Sequence, residues 1–276
     1  MCSSRLRRVK RQSQAGGGAE MGTAGQRILY GIHAVRQVLL SRPAEVECVY
    51  LQTDLGEERQ ARLAEVLPRA VRVLQVSADE LERMTGTVKH QGVAAQATAT
   101  GPLSEAGARD LLAALERPLV LVLDGVQDPR NFGACLRAAD GAGADLVVVA
   151  RNRNVDLTPV VSKVAAGAAE SQAVAQVGNL VRFLDSIKKQ GLWIVGADAE
   201  AGESLYELDL SSGIALVLGG EGEGMRRLTR ETCDHLVSLP MRGAVSSLNV
   251  AVAAGICLYE CVRQRAAQLP GPHALR

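Results

Sequence analysis

The sequence predicts an α/β protein of two unequal domains, the larger one built on a mainly parallel sheet. From Leu119 onward, short apolar runs recur at Leu119–Leu123, Leu146–Ala150, Trp193–Gly196, Ile214–Leu218 and Leu236–Leu239. They lack polar alternation, so both faces of each strand are covered, as in parallel sheets. Helical patterns separate them near 131–142, 157–168, 178–189 and 224–232, and the longest, Leu248–Arg265, closes the series. Strand–helix alternation of this kind marks a parallel α/β sheet. A chain of 276 residues, 47% hydrophobic, is also long for one domain and comfortable for two.

Taken in order, residues 1–26 carry five basic side chains against one acid, Glu20, and read as a disordered basic tail. An RNA-touching arm, a transit peptide, or an extended start before Met21 are the alternatives there. Residues 27–97 form a small α/β unit. Its elements are a helix at Ile32–Leu40, a strand at Val46–Leu51, a charged helix around Glu57–Leu67 and a strand at Val71–Val76. Ser77-Ala78-Asp79-Glu80 is a capping box opening a helix through Met84, because a Ser hydroxyl can take the amide three residues on. A loop over Gly86–Gly92 precedes a closing strand, Val93–Ala97. Residues 98–117 read as linker and short helix, with Ser104 as N-cap of Glu105–Glu116 and Pro118 as its stop. The large domain spans 118–266, and 267–276 is a tail. The final helix is apolar nearly all round until Tyr259, which implies burial on more than one side. A subunit interface would supply the second covering.

Composition narrows the function classes. No run reaches 18 apolar residues without a charge, so no membrane span is expected. Beyond residue 26 the chain holds 26 basic and 29 acidic side chains, so nucleic-acid binding there has to come from local patches. The six cysteines form no C-x-x-C pair and the four histidines add no ligand spacing, so no metal site is expected. Cys257 and Cys261, one helical turn apart in an apolar stretch, read as small core residues in a reducing cytoplasm. His33 and His90 are assigned no chemistry.

Three polar stretches follow three of the strands. The first, Leu123-Asp124-Gly125-Val126-Gln127-Asp128-Pro129-Arg130-Asn131, leads into a helix carrying Arg137. Either Asp128 or Asn131 would cap that helix, with Arg137 paired on its surface, or the loop carries ligand groups, as loops at carboxyl ends of parallel strands do. The second, Gly219-Gly220-Glu221-Gly222-Glu223-Gly224, lets backbone approach a ligand closely. It lacks the G-x-G-x-x-G spacing of dinucleotide sites, and its acids would repel a phosphate. The third runs Leu239-Pro240-Met241, then Gly243 to Val250. Ser246 or Ser247 is the expected N-cap, while Asn249, an amide in the first turn of a buried helix, needs partners. Spacing alone shows three loops able to converge and does not identify the ligand.

Together, DPRNFGACLRAADGAG, LVLGGEGEGMRRLTRETCD and LPMRGAVSSLNVAVAAGICLYE resemble the three motifs of the SpoU–TrmH family of the SPOUT superfamily, in order and properly spaced. The likeness extends through VSKVAAGAAE, LWIVGAD, GIHAVRQVLL and HQGVAA, and covers nearly all of 28–265. It implies a SPOUT domain with a deep trefoil knot, an L30e-like RNA-gripping amino-terminal domain, and a homodimer. It also implies transfer of methyl from S-adenosyl-L-methionine to a ribose 2′-hydroxyl, of a guanosine in 23S ribosomal RNA. Transfer RNA, another ribosomal nucleotide, a non-catalytic RNA-binding relative and a nucleotide-dependent dehydrogenase are the alternatives. Carried over by motif, Asn131, Arg137, Glu221, Ser247 and Asn249 are the catalytic set. Gly196, Gly219, Gly222, Leu239 and Leu248 lie where the cofactor would be held. Candidate RNA contacts are Arg130, Arg151, Arg153, Lys163, Arg226 and Arg227. An arginine stays charged at neutral pH and is a poor base, so Arg137 is expected to bind phosphate and stabilise a developing alkoxide, with Glu221 orienting Arg137 or its own loop.

Overall fold

The computed structural model describes residues 26–98, 101–151, 161, 164–165, 167–222 and 224–268, the side chain of Glu170 excepted. The expected tails, and most of the helix expected at 157–168, lie outside that set. Two compact units divide the chain, one running to Gly101 and including Ala166–Ser171, the other comprising Pro102–Ala165 and the remainder from Gln172.

The smaller unit contains β1 (Gln26–Tyr30), α1 (Ile32–Ser41), β2 (Val46–Gln52), α2 (Glu57–Ala64), β3 (Arg72–Val76), α3 (Ala78–Thr85) and β4 (Val93–Thr98). Its sheet order is β1-β4-β2-β3, with β4 antiparallel to both neighbours and β2 parallel to β3. The strand β1 was not anticipated. It starts at the expected end of the tail, and it is defined by pairing with β4 64–72 residues away rather than by a local pattern. Ser77 accepts from the Glu80 amide at 3.2 Å, as a capping box requires. Helix α1 begins after Gly31, which has no side chain to cap with, and the Ile32 amide instead donates to Gln91 Oε1 at 3.0 Å. His90 is buried and its Nδ1 accepts from the Gly92 amide at 3.0 Å, a structural bond inside the Gly86–Gly92 loop.

The larger unit holds α4 (Glu105–Ala113), β5 (Leu119–Asp124), α5 (Pro129–Ala142) and β6 (Leu146–Ala150). After α6 (Ala168–Ser171), which belongs to the smaller unit and lies against α1, come β7 (Val174–Val177), α7 (Leu180–Lys188), β8 (Trp193–Ala197) and β9 (Glu203–Ser204). The chain continues with β10 (Ile214–Gly219), α8 (Arg227–Thr232), β11 (His235–Ser238) and α9 (Val250–Ala267). Seven parallel strands form one sheet in the order β7-β6-β5-β10-β8-β11-β9. The two edge strands, β7 and β9, have four and two residues and were missed in the sequence.

Alternation along the strands sends Val120, Val122, Ala215 and Val217 into a core with Ala108 and Leu112 of α4 and Phe183, Leu184 and Ile187 of α7. Leu121, Leu123, Leu216 and Leu218 alternate onto the opposite face, where α5 and α9 pack on each other and α9 reaches β10. Every residue of β5 is buried, as the unbroken apolar run foretold. Cys257 and Cys261 are buried in α9, and burial pushes each thiol up to about 12, so both remain protonated core residues. In the single chain, Val252 and Tyr259 of α9 are 51% and 53% exposed.

Candidate active site at the carboxyl ends of the central strands

Strand order places the site. After β5 the chain moves to β6 on one side, and after β10 it moves to β11 on the other. The crevice outside the carboxyl ends of β5 and β10 is therefore a topological switch point, where open α/β sheets take their ligands.

Each polar loop is held there by its own device. In the first, Asp128 caps α5 by accepting from the Arg130 amide at 2.9 Å, and Pro129 occupies the first helical position, where a missing N–H costs nothing. This leaves Asn131 free of capping duty. In the second, Gly220 donates to the Asp124 carbonyl at 2.9 Å, and the Gly224 amide to the Gly220 carbonyl at 3.2 Å. A Cβ on Gly219 would fall on the Gly224 carbonyl carbon and the Met225 amide, and one on Gly220 on the Gly125 carbonyl, so only glycine permits these crossings. In the third, the N-cap is neither Ser246 nor Ser247. Asn249 caps α9, its Oδ1 accepting from the Ala251 amide at 3.0 Å, because the chain turns helical only at Val250.

The three loops meet in one hydrogen-bonded cluster. Asn249 Nδ2 donates to Asn131 Oδ1 at 3.0 Å and to Glu221 Oε1 at 3.3 Å, and Asn131 Nδ2 donates to Glu221. Two neutral amides thus fix one carboxylate, with residues 28, 90 and 118 positions apart in sequence joined in pairs. Beneath it Cys135 is buried, and burial, reinforced by the Glu221 charge, pushes its thiol up to about 12. Cys135 is therefore no nucleophile.

Other expected residues take different places. Arg137 is exposed on α5 and makes no hydrogen bond or ion pair among the described residues, so it neither joins the cluster nor pairs on the helix surface. Glu221 holds amides rather than orienting Arg137. Ser247 is exposed, outside the cluster. The expected role of Arg226 in binding RNA is not what its geometry provides. Its Nε donates to Asp124 Oδ1 at 2.6 Å and its amide to Oδ2 at 3.0 Å. Asp124 is 1% exposed, and a buried carboxylate without a partner is costly, so Arg226 is committed to neutralising it. Arg227 pairs with Glu231 at 2.6 Å one turn along α8. Gly196 is a packing residue: a Cβ there would meet Cys233, Leu236 and Met225 at 2.8–2.9 Å. Gly222 is exposed with φ +88°, Leu239 is half-buried just after β11, and Leu248 stands 36% exposed beside Asn249. Arg130 and Arg151 are exposed, whereas Arg153, Lys163 and Glu223 lie outside the described residues. Sequence reasoning did not single out Asp124 as a structural partner. Its signal was present, a carboxylate ending an otherwise apolar strand.

The geometry has counterparts among known proteins. The profile of the SpoU rRNA Methylase family matches residues 118–259, and that for RNA 2′-O ribose methyltransferase substrate binding matches 28–102. The chain is 46% identical over 241 residues to the 23S rRNA (guanosine-2′-O-)-methyltransferase RlmB of Vibrio cholerae, covering 87% of this chain and 98% of that one. It is 45% identical over 240 residues to the protein of the same name from Escherichia coli, covering 86% and 98%. Among solved structures, an RNA 2′-O ribose methyltransferase matches with TM-score 0.69 and 29% identity, over 87% of this chain and 89% of that one. The SpoU methyltransferase AviRb from Streptomyces viridochromogenes, in complex with AdoMet, matches in fold with TM-score 0.72 and 24% identity, over 88% and 92%. This chain belongs to the SpoU rRNA Methylase family.

Proposed function

We propose that the protein transfers a methyl group from S-adenosyl-L-methionine to the ribose 2′-hydroxyl of a guanosine in 23S ribosomal RNA. The observation that carries this reading is the Asn131–Glu221–Asn249 cluster, assembled from the three motif loops at the switch point, in a chain 46% identical to a 23S rRNA (guanosine-2′-O-)-methyltransferase. The donor set fits the cofactor. Glu221 is an exposed carboxylate held by amides and without a cationic partner among the described residues, which suits a sulfonium nearby, and residues 242–249 expose their chain to the same end of the sheet. The backbone around Gly219 and Gly222, and between Leu239 and Leu248, would hold the adenosine, while Gly196 would keep the neighbouring strand end close-packed. When bound, the cofactor supplies an electrophilic methyl whose leaving thioether is neutral, so no general acid is needed.

The chain's residues then have to orient the sugar and accept charge. Orientation of reacting groups is worth several kcal/mol, roughly 7–11 in ideal cases. Asn131, Asn249 and Ser247 position ribose and loops, and Glu221 anchors the two amides. Arg137, an unpaired guanidinium, binds the phosphate beside the target and stabilises the developing alkoxide. The proton passes to phosphate or water. The motif loops meet because the segment before α9 is threaded as a trefoil knot. The smaller unit grips RNA, and the enzyme works in the cytoplasm as a homodimer through the solvent side of α9.

The test is labelled methyl transfer to ribosomal RNA from cells lacking the gene, followed by mapping of the modified nucleotide. A 2′-O-methylguanosine in 23S RNA is expected, with Arg137→Ala slower by about two orders of magnitude, the scale of losing one group that stabilises transition-state charge. Label in transfer RNA alone, or full activity in Arg137→Ala, overturns the reading.

A further inference from the structure

The cations of the larger unit sort by position. Those within the second motif each pair with a carboxylate: Arg226 with Asp124, Arg227 with Glu231 at 2.6 Å and Arg230 with Asp198 at 2.6 Å. Those on α4, α7 and α9 are also engaged, Arg109 and Arg182 by Glu105, Lys188 by Asp234 and Arg263 by Glu260. Among the described residues of this unit, the cationic side chains without a hydrogen bond or ion pair are Arg130, Arg137, Arg151, Lys189 and Arg242. Three of these lie at the carboxyl end of the sheet. Arg130 is in the first turn of α5, Arg151 directly follows β6, and Arg242 comes four residues after β11. Lys189 ends α7, at the opposite end of the strands.

Arg242 is distinctive within this group. It opens a run of exposed residues, 242–249, that ends at Asn249 of the cluster. From His235 to Tyr259 the sequence contains no Asp or Glu, so its own segment offers it no partner. Seven residues bound its distance from Asn249 at about 25 Å, within the span of a short RNA strand seated on the cluster. An unpaired guanidinium with its planar fork exposed is the side chain best suited to a phosphate.

We propose that Arg242 binds a backbone phosphate of the RNA substrate, and that with Arg130 and Arg151 it forms the cationic rim over which the RNA enters the site. This rests on the methyltransferase reading above; of the six candidates read from the sequence it keeps Arg130 and Arg151, and it puts Arg242 in the place of Arg226 and Arg227.

The experiment measures binding of unmodified 23S ribosomal RNA against salt, together with steady-state methylation, for the full chain. Arg242→Ala is expected to lower the slope of log K against log salt by about 0.7–0.9, the value of one phosphate contact. It should raise KM for RNA about fivefold, keep kcat, and leave S-adenosylmethionine affinity unchanged by calorimetry. Arg242→Lys should restore the slope, and Lys189→Ala, which removes the same charge from the far end, should match the parent throughout. A parent-like slope and KM in Arg242→Ala overturns the proposal, as does an equal loss in Lys189→Ala, which would report only net charge. A slope loss in a protein that methylates no RNA upholds the phosphate contact and overturns the functional reading instead.

Discussion

A single buried carboxylate organises the second motif. Asp124 ends β5 with its side chain out of water, and it draws in both the amide and the guanidinium of Arg226, closing the far end of the loop that carries Glu221. The asymmetry of buried pairs makes a specific expectation. Arg226→Ala leaves the buried carboxylate with the backbone amide but no cation and should cost about 2–3 kcal/mol, less than for a wholly buried pair because 40% of the Arg226 side chain is exposed. Asp124→Asn keeps a neutral acceptor for the Arg226 amide and should cost clearly less. Thermal unfolding of the two variants side by side checks the order, and equal losses would show that the pair is an ordinary surface contact.

At the scale of elements, the last helix is both a wall of the core and the carrier of a site residue. Asn249 uses its Oδ1 to cap α9 and its Nδ2 to hold Asn131 and Glu221, so helix start and site are set by one side chain. These duties separate by substitution. Asn249→Ala should lose about 1 kcal/mol of stability with the cap, along with methyl transfer. Asn249→Ser should regain the stability, since a hydroxyl caps well, yet stay impaired in catalysis because it is too short to reach the other loops. Denaturant midpoints paired with methylation rates make the comparison. Recovery of both by serine would mean that the cap alone matters.

At the scale of the molecule, α9 is covered by α5 and the sheet but leaves Val252 exposed, and Tyr259 too, although its hydroxyl donates to the Gly141 carbonyl of α5. Val245 and Leu248 add exposed apolar surface just before it. A helix this apolar calls for a covering on its exposed face, and in the homodimer proposed above a second copy of the chain would supply it. Val252→Arg should therefore shift sedimentation from dimer to monomer and lower activity with it. A parent that sediments as a monomer, or a variant that remains dimeric, contradicts the assignment.

How much of this was legible beforehand depends on the range of the interaction involved. The α/β class, five of the seven strands of the large sheet, and the caps at Ser77 and Ser104 are written in local periodicity and short-range hydrogen bonding, so the sequence by itself determined them. The three polar loops were also visible, each directly after its strand. Only the tertiary structure decided which groups within them act together. Asn131, Glu221 and Asn249 meet because strands distant in sequence lie side by side, and the cap of α9 fell to Asn249 because that amide had partners across the crevice. Arg226 looked available to RNA until folding brought Asp124 against it. Charge along a chain is a local property, whereas the neutralisation of Arg226 depends on a contact between residues 102 positions apart.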